Sequence, residues 1–280
     1  MKANTNLFDI ISKSTYNIKV TKKTQDEEGK EYEELGTCFA FDYNGKLFFI
    51  TAGHVLKNIA NNTCKIRNKE KIYEDVAIKI IAVEENPDVA VFCMEDNTDR
   101  DIGKIQYSTN VYQGQELYYC GYPFFPNING KNTTPTLFIK KGILSAIMIR
   151  NKSPYFLIDG TSSPGISGGP VFYFNEITQS VVVIGIITGF ECLYGNIVDG
   201  KMYYPISGYN AQYHSGTSIA WGISTATCFS ASMRADRSSF NLVRSSIPKS
   251  GLFSIWSITL SVAYMPCLRI EGRISPHTQS

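Results

Sequence analysis

Ser163-Pro164-Gly165-Ile166-Ser167-Gly168-Gly169-Pro170-Val171-Phe172 is the stretch around which this 280-residue chain is organised. Three glycines flank a single central serine, Ser167, and a β-type run from Val171 to Phe174 leaves the bend. Glycine on both sides of a serine lets the backbone turn sharply, present the hydroxyl and aim neighbouring N–H groups at one point. An acyl-transfer nucleophile with an oxyanion hole needs that geometry. A flexible loop is made of the same residues, so the bend gains chemical meaning only if the chain also supplies a base and a group to orient it.

Working outward, the apolar runs are short, rich in Val, Ile, Phe and Tyr, and separated by turn residues, which predicts strands. Leu35 to Tyr43, the turn Asn44-Gly45 and Lys46 to Thr51 form a hairpin. It ends in Thr51-Ala52-Gly53-His54-Val55, so His54 sits where the buried run Leu47-Phe48-Phe49-Ile50 stops, on a scaffold able to hold a base. Asn86-Pro87-Asp88 leads directly into Val89-Ala90-Val91-Phe92, which puts the Asp88 carboxylate at the mouth of a buried strand. Gly142, inside the run Leu137 to Arg150, suggests a bulge or barrel corner. Ser180 to Thr188 reads as a nearly continuous apolar strand and Thr217 to Ser224 as the last one. Gly189 to Gly216 reads as a Tyr- and Gly-rich pair of loops, and Lys22 to Glu34 as a charged, solvated hairpin loop. Leu7, Phe8, Ile10 and Ile11 fall on one side of a short lead-in helix, expected to cover an open sheet edge. The whole is all-β: short, regularly spaced strands with few helical periods indicate antiparallel barrels.

Composition narrows the function. With 27 basic and 25 acidic residues the net charge is +2, and no run concentrates Lys and Arg with interleaved aromatics, so nucleic acid is not an expected partner. The seven cysteines are an odd number with no C-x-x-C pair, which predicts reduced thiols and neither a zinc cluster nor another metal site. Met1 to Val20 lacks an apolar core, so no secretory signal is expected and a cytoplasmic location follows. No cofactor motif is found.

His54, Asp88 and Ser167 together supply base, orienting acid and nucleophile. The imidazole takes the serine proton, the carboxylate fixes the tautomer and backbone N–H groups receive the oxyanion. The frames Thr51-Ala52-Gly53-His54, Asp88-Val89-Ala90-Val91 and Gly165-Ile166-Ser167-Gly168-Gly169-Pro170 resemble the three motifs of the trypsin-like, chymotrypsin-fold serine peptidases. With Gly36-Thr37-Cys38-Phe39-Ala40-Phe41, Gly121-Tyr122-Pro123 and Gly142-Ile143-Leu144-Ser145-Ala146, they are most similar to the bacterial Deg/HtrA-like branch, over about Lys19 to Ser224. The resemblance implies two packed six-stranded antiparallel β-barrels, with short terminal helices: residues 1–100 holding the lead-in and first barrel, 101–224 the second barrel, and 225–280 a tail. It also implies an oxyanion hole from the N–H groups of Gly165 and Ser167.

Departures from the family pattern set further expectations. Ile166 stands where animal digestive members carry an aspartate that pairs with a freed N-terminus, so activation by N-terminal cleavage is not expected. Thr161 stands where trypsin has its pocket aspartate, and Ile187 where glutamyl endopeptidases have a histidine. Apolar or small uncharged side chains are therefore expected before the cleaved bond, with Thr188, Gly189 and Phe190 pairing the substrate as an added strand. Asp159 and Glu191 could reach the pocket rim and would change that preference. The partner implied is a protein or peptide substrate; the alternative is a catalytically idle domain of the same fold that binds peptides or regulates. In the tail, no peptide-binding PDZ domain is visible. Residues 252–268 are apolar but short of the ~20 residues a membrane span needs, so a marginal membrane segment and a packed terminal helix stay open. Ile270-Glu271-Gly272-Arg273 matches a sequence used to cut fusion proteins, which leaves a non-native tail open too.

Overall fold

The structure, a computed structural model, describes residues 5–24, 29–43, 45–67, 74–95, 102–124, 135–198 and 205–223, with residues 5–6, 192–198 and 205–214 described by backbone alone. All of them belong to the unit Met1–Arg234. The tail at 225–280, including 252–268, lies outside the described residues.

Helix α1 (Thr5–Ser14) opens the described chain. Strands β1 (Thr15–Lys23), β2 (Glu31–Tyr43), β3 (Lys46–Thr51), β4 (Thr63–Arg67), β5 (Glu74–Glu85) and β6 (Asp88–Met94) then close into a barrel in the order β1-β2-β3-β6-β5-β4. Pairing of Ile18 with Ile66 is central to the closing contact of β1 with β4. Strands β8 (Glu116–Gly121), β9 (Phe138–Arg150), β10 (Ser153–Asp159), β11 (Pro170–Asn175), β12 (Ser180–Val198) and β13 (Pro205–Gly222) form the second ring, β11-β8-β9-β10-β13-β12, which closes where β11 pairs with β12. A short strand, β7 (Ile105–Tyr107), lies parallel to β12 beside that ring. Two closed, six-stranded antiparallel barrels result, as expected.

The continuous apolar runs of the sequence are explained by burial on both faces. In β2, Cys38 and Ala40 point into the first barrel, whereas Phe39 and Phe41 face the second. The same division separates Phe49 from Phe48 and Ile50 on β3, and Ala90 and Phe92 from Val89 and Val91 on β6. From the other side Phe172, Val181, Val183, Ile186 and Trp221 complete the core between the barrels, while Leu117, Tyr119, Leu144, Phe156 and Ile158 fill the second barrel's interior. Helix α1 does not cover a sheet edge, because closed barrels offer none. It packs on the seam instead: Leu7 and Ile11 enter the core between the barrels, and the Phe8 ring meets Tyr118 and Phe174 edge-on at 5.7 and 4.9 Å.

Three local expectations are corrected. Residues 189–198 and 205–216, expected as loops, are strand. Strands β12 and β13 continue as a ribbon from Gly185 opposite Gly222 out to Val198 opposite Pro205. Tyrosine favours strands as strongly as glycine disfavours them, and three register shifts in the ribbon absorb the glycines. The irregularity near Gly142 lies three residues later: Leu157 faces Ala146 but Ile158 faces Leu144, which leaves Ser145 as the extra residue. Gly142 is needed for close approach, since a Cβ there would stand 2.6 Å from the Asp159 carbonyl oxygen. Finally, Lys22 is not solvated. It is 5% exposed, and its Nζ donates to the His54 carbonyl and pairs with the Glu34 carboxylate.

Between the barrels the central polar contact is Thr37 on β2, which is wholly buried. Its N–H donates to the Ser167 carbonyl (2.8 Å) and its hydroxyl to the Gly165 carbonyl (2.7 Å), while the hydroxyl accepts from the Tyr122 N–H (2.9 Å). Its own carbonyl accepts from the Thr51 hydroxyl at 2.7 Å. One first-barrel residue thus holds both ends of the Gly165–Ser167 bend. Thr37→Val keeps the shape but leaves the Tyr122 N–H and Gly165 carbonyl buried without that partner, each costing about 1–3 kcal/mol. We expect a loss of about 2–4 kcal/mol in urea unfolding, with Thr37→Ser recovering most of it; a neutral Thr37→Val would refute the clamp.

The cysteines Cys38, Cys64, Cys93 and Cys120 are free thiols. Burial pushes the Cys120 pKa up to about 12, only partly offset by its contact with the Thr15 hydroxyl. Because the thiolate is the reactive form, native protein treated with iodoacetamide at about pH 8 is expected to leave Cys38, Cys64 and Cys120 unmodified and to alkylate Cys93, as read by peptide mass spectrometry. Modification of Cys120 at the rate of Cys93 would contradict the packing.

Candidate active site

His54 lies in a single helical turn, α2 (Gly53–Leu56), which begins as soon as β3 ends. The turn can form there because residue 53 is glycine: a Cβ would stand 2.1 Å from the Glu84 carbonyl oxygen and 3.0 Å from Asp88 Oδ1. Asp88 is brought opposite by the tight β5–β6 hairpin, in which Glu85 pairs with Asp88. One carboxylate oxygen of Asp88 accepts from the His54 backbone N–H and the other meets the ring Nδ1, both at 2.7 Å. Gripping backbone and ring together, the carboxylate fixes Nδ1 as the protonated nitrogen and leaves Nε2 with its lone pair. The imidazole is 42% exposed and the carboxylate 24%, so the pair is open to a ligand. Lys22 holds the same residue from behind, by its carbonyl.

Ser167 is carried to this pair by close backbone contact. A Cβ on Gly168 would lie 1.9 Å from the Thr37 carbonyl oxygen, 2.3 Å from Thr51 Oγ1 and 2.9 Å from the Ala52 nitrogen, so the residue after the serine rests on the strand end that leads into His54. Gly165 and Gly168 both have positive φ, +93° and +90°, a region open to glycine at little cost. Within the bend, the N–H groups of Ile166, Gly168 and Gly169 donate to the carbonyls of Ser163, Ile187 and Ile166. Those of Gly165 and Ser167 find no acceptor among the described residues. The Pro164 carbonyl accepts from the Phe124 N–H at 2.7 Å; in a trans peptide the Gly165 N–H then points the opposite way. Ile166 is 1% exposed and packs into the second barrel's core, which anchors the bend by apolar burial. The Ser167 hydroxyl makes one hydrogen bond among the described residues, a long one of 3.4 Å to the Thr188 carbonyl, and none to the imidazole.

The expected pocket residues fall around this bend. The Thr161 side chain is exposed, and its carbonyl accepts from the Tyr119 hydroxyl and from Lys140 Nζ, each at 2.8 Å. Ser162 Oγ donates to the Gly189 carbonyl at 3.2 Å and so ties the Thr161 segment to β12. Ile187 is buried in the second barrel, where its N–H donates to the Gly169 carbonyl. Beyond it, Thr188, Gly189 and Phe190 are half-buried. Strand β11 pairs with β12 only as far as Ile186, so the β11 side of 188–190 has no strand partner among the described residues. Of the two possible rim carboxylates, Glu191 lies beside the Tyr155 hydroxyl and Arg150, and Asp159 is exposed at the end of β10. Among the described residues no group of three or more His, Cys, Asp or Glu could hold a metal ion, and no helix is long and apolar enough to cross a membrane. Sequence reasoning missed Lys22, Thr37, Tyr119 and Lys140 as parts of the site. Each acts from a distant strand, and no local sequence signal marks any of the four.

Known proteins share this architecture. The HtrA-type protease AlgW with decapeptide superposes with a TM-score of 0.55 at 14% identity, covering 83% of this chain and 68% of that one. The same protease with tripeptide gives 0.54 at 15%, covering 80% and 61%. At such identities the likeness shows the fold, which is the chymotrypsin-like double barrel. A probable periplasmic serine endoprotease, DegP-like, from Pseudomonas fluorescens is 26% identical over 143 residues, which is 51% of this chain and 28% of that protein. The chain therefore spans little more than a quarter of that relative's length. The family profile of the trypsin-like peptidase domain matches residues 36–186, over half of the chain and inclusive of His54, Asp88 and Ser167, and the chain belongs to that family.

Proposed function

We propose that the protein is a serine endopeptidase that hydrolyses peptide bonds through an acyl-enzyme. The carrying observation is the double grip of Asp88 on His54, at the ring and at the backbone, beside the Ser167 bend. In the proposed reaction Ser167 Oγ attacks the peptide carbonyl while His54 Nε2 takes its proton, and Asp88 stabilises the imidazolium. The N–H groups of Gly165 and Ser167, which have no acceptor among the described residues, receive the oxyanion. Imidazolium then protonates the leaving amine. Water, deprotonated by the same nitrogen, hydrolyses the ester and returns Ser167. The peptide lies along Thr188 to Phe190 as an added strand, a reading supported by the open side of β12 there and by the peptides carried by the AlgW structures.

One observation favours the second reading, a catalytically idle domain that binds peptides. The Ser167 hydroxyl is turned to the Thr188 carbonyl, away from a base. A fluorophosphonate probe separates the two. Wild type is expected to be labelled at Ser167 and Ser167→Ala to be blank; a folded wild type that neither labels nor cleaves casein would make the domain idle. Asp88→Asn retains the shape but favours the wrong imidazole tautomer. Its casein turnover should fall by about 10⁴-fold, the scale seen when this carboxylate is neutralised in triads of this type, and a change below about tenfold would remove Asp88 from the mechanism.

A further inference from the structure

Trypsin-like specificity is set by what lies at the base of the pocket beneath the serine bend, and here that ground is approached by a lysine from a different strand. Along β9, Lys140, Gly142 and Leu144 occupy the less exposed positions while Lys141, Ile143 and Ser145 are exposed. Lys140 is therefore at an inward position of the second barrel, near its end, directly opposite the buried Tyr119 on β8. Both reach one acceptor, the Thr161 carbonyl, at 2.8 Å. Thr161 starts the segment that runs into the Ser167 bend, and Ser162 ties that segment to Gly189 on the open stretch of β12. The ammonium thus lies against the Thr161 segment, one of the two walls expected to enclose the side chain before the cleaved bond, and that segment is tied to the other wall by Ser162.

Its charge is unmatched among the described residues. An ammonium carries three N–H donors, and the Thr161 carbonyl takes one. No carboxylate pairs with Lys140 among the described residues, Asp159 and Glu191 included, and the group is half-buried. Burial lowers its pKa from the ordinary lysine value, with no charged neighbour to offset the effect. A partly desolvated cation with two donors not taken by the described residues can bind an anion.

We propose that Lys140 is the specificity-determining cation of the pocket, and that the enzyme selects an acidic side chain, Glu or Asp, immediately before the cleaved bond. This rests on the peptidase reading above and replaces the uncharged preference expected from Thr161 and Ile187. The aligned pocket positions carry no counter-charge, but a residue 21 positions earlier in the chain supplies one.

The test compares matched fluorogenic peptides with Glu, Gln or Leu before the scissile bond. Wild type should favour Glu over Gln in kcat/KM by about tenfold or more, the scale of one charge-assisted hydrogen bond. Lys140→Met should lose that ratio, its kcat/KM on the Glu peptide falling to that on the Gln peptide, with a far-UV circular dichroism spectrum like wild type to show that it is folded; Lys140→Arg should retain the ratio. Wild type that labels but treats Glu and Gln alike overturns the Lys140 proposal and leaves the peptidase reading intact, as does an equal loss on both peptides in Lys140→Met. If wild type does not label, the peptidase reading fails. The anion site is then judged by fluorescence polarisation with peptides ending in Glu or Gln: about tenfold tighter binding of Glu, lost in Lys140→Met, supports it, and equal affinity overturns it.

Discussion

The whole site depends on one buried threonine. Thr37 offers the second barrel its N–H and its hydroxyl, and both are taken by carbonyls of the same bend, Ser167 and Gly165. A carbonyl that is held fixes the peptide plane on which it sits. Holding these two from the first barrel fixes the planes that carry the Ile166 and Gly168 N–H groups, and so the backbone on both sides of Ser167. The same residue accepts from Thr51, two positions before the strip Gly53-His54, so His54 and Ser167 are referenced to one point. Packing alone could not do this. Apolar contact between Phe39, Phe41, Phe172 and Val183 is non-directional and would tolerate a small slide of one barrel on the other; the hydrogen bonds at Thr37 would not.

The barrels in turn supply rigidity at their strand ends. Phe49 and Ile50, immediately upstream of the turn that carries His54, and Val89, immediately after Asp88, are fully buried, each worth about 1.5–3 kcal/mol of burial. Buried charge is treated differently. Lys22 is almost wholly enclosed, which costs several kcal/mol unless its donors are met. They are met by Glu34 and by the His54 carbonyl, so the cost of burial is tied to the position of the imidazole. A neutral residue at 22 would leave Glu34 without its partner and His54 without that restraint.

The barrels and the three motifs were legible in the sequence for a common reason. Strand period, turn chemistry and the Gly-Ser-Gly-Gly bend are all local patterns, and a glycine such as Gly53 or Gly165 records in one letter a backbone constraint imposed by distant atoms. What was not legible was long-range. Thr37 reads as an ordinary strand threonine until residues 128 positions away are folded against it. Lys22 lies in a run of charges whose solvation is the sensible expectation, and only closure of β1 on β2 and the return of residues 57–60 bury it. The ribbon of β12 and β13 was hidden because glycine and tyrosine carry opposite strand preferences, and the register shifts that reconcile them leave no mark in composition. Lys140 fell outside every motif.

How the bend keeps its shape also follows from these terms. An aspartate at position 166 would need an ion-pair partner to be buried; isoleucine needs only a cavity, and burial contributes about 1.5–3 kcal/mol. Two hydrogen bonds to Thr37 add about 1 kcal/mol each, and left-handed glycines at 165 and 168 impose an entropic cost of the same order as either bond alone. The balance favours a bend formed as the barrels close. One degree of freedom is left, the χ1 torsion of Ser167. Its present hydrogen bond to Thr188 is 3.4 Å long and correspondingly weak, so turning the hydroxyl toward His54 costs little. A substrate strand laid along 188–190 would compete for that carbonyl and push the rotation the right way. In the proposed reaction, then, substrate binding supplies the last piece of alignment, and the barrels have supplied the rest beforehand.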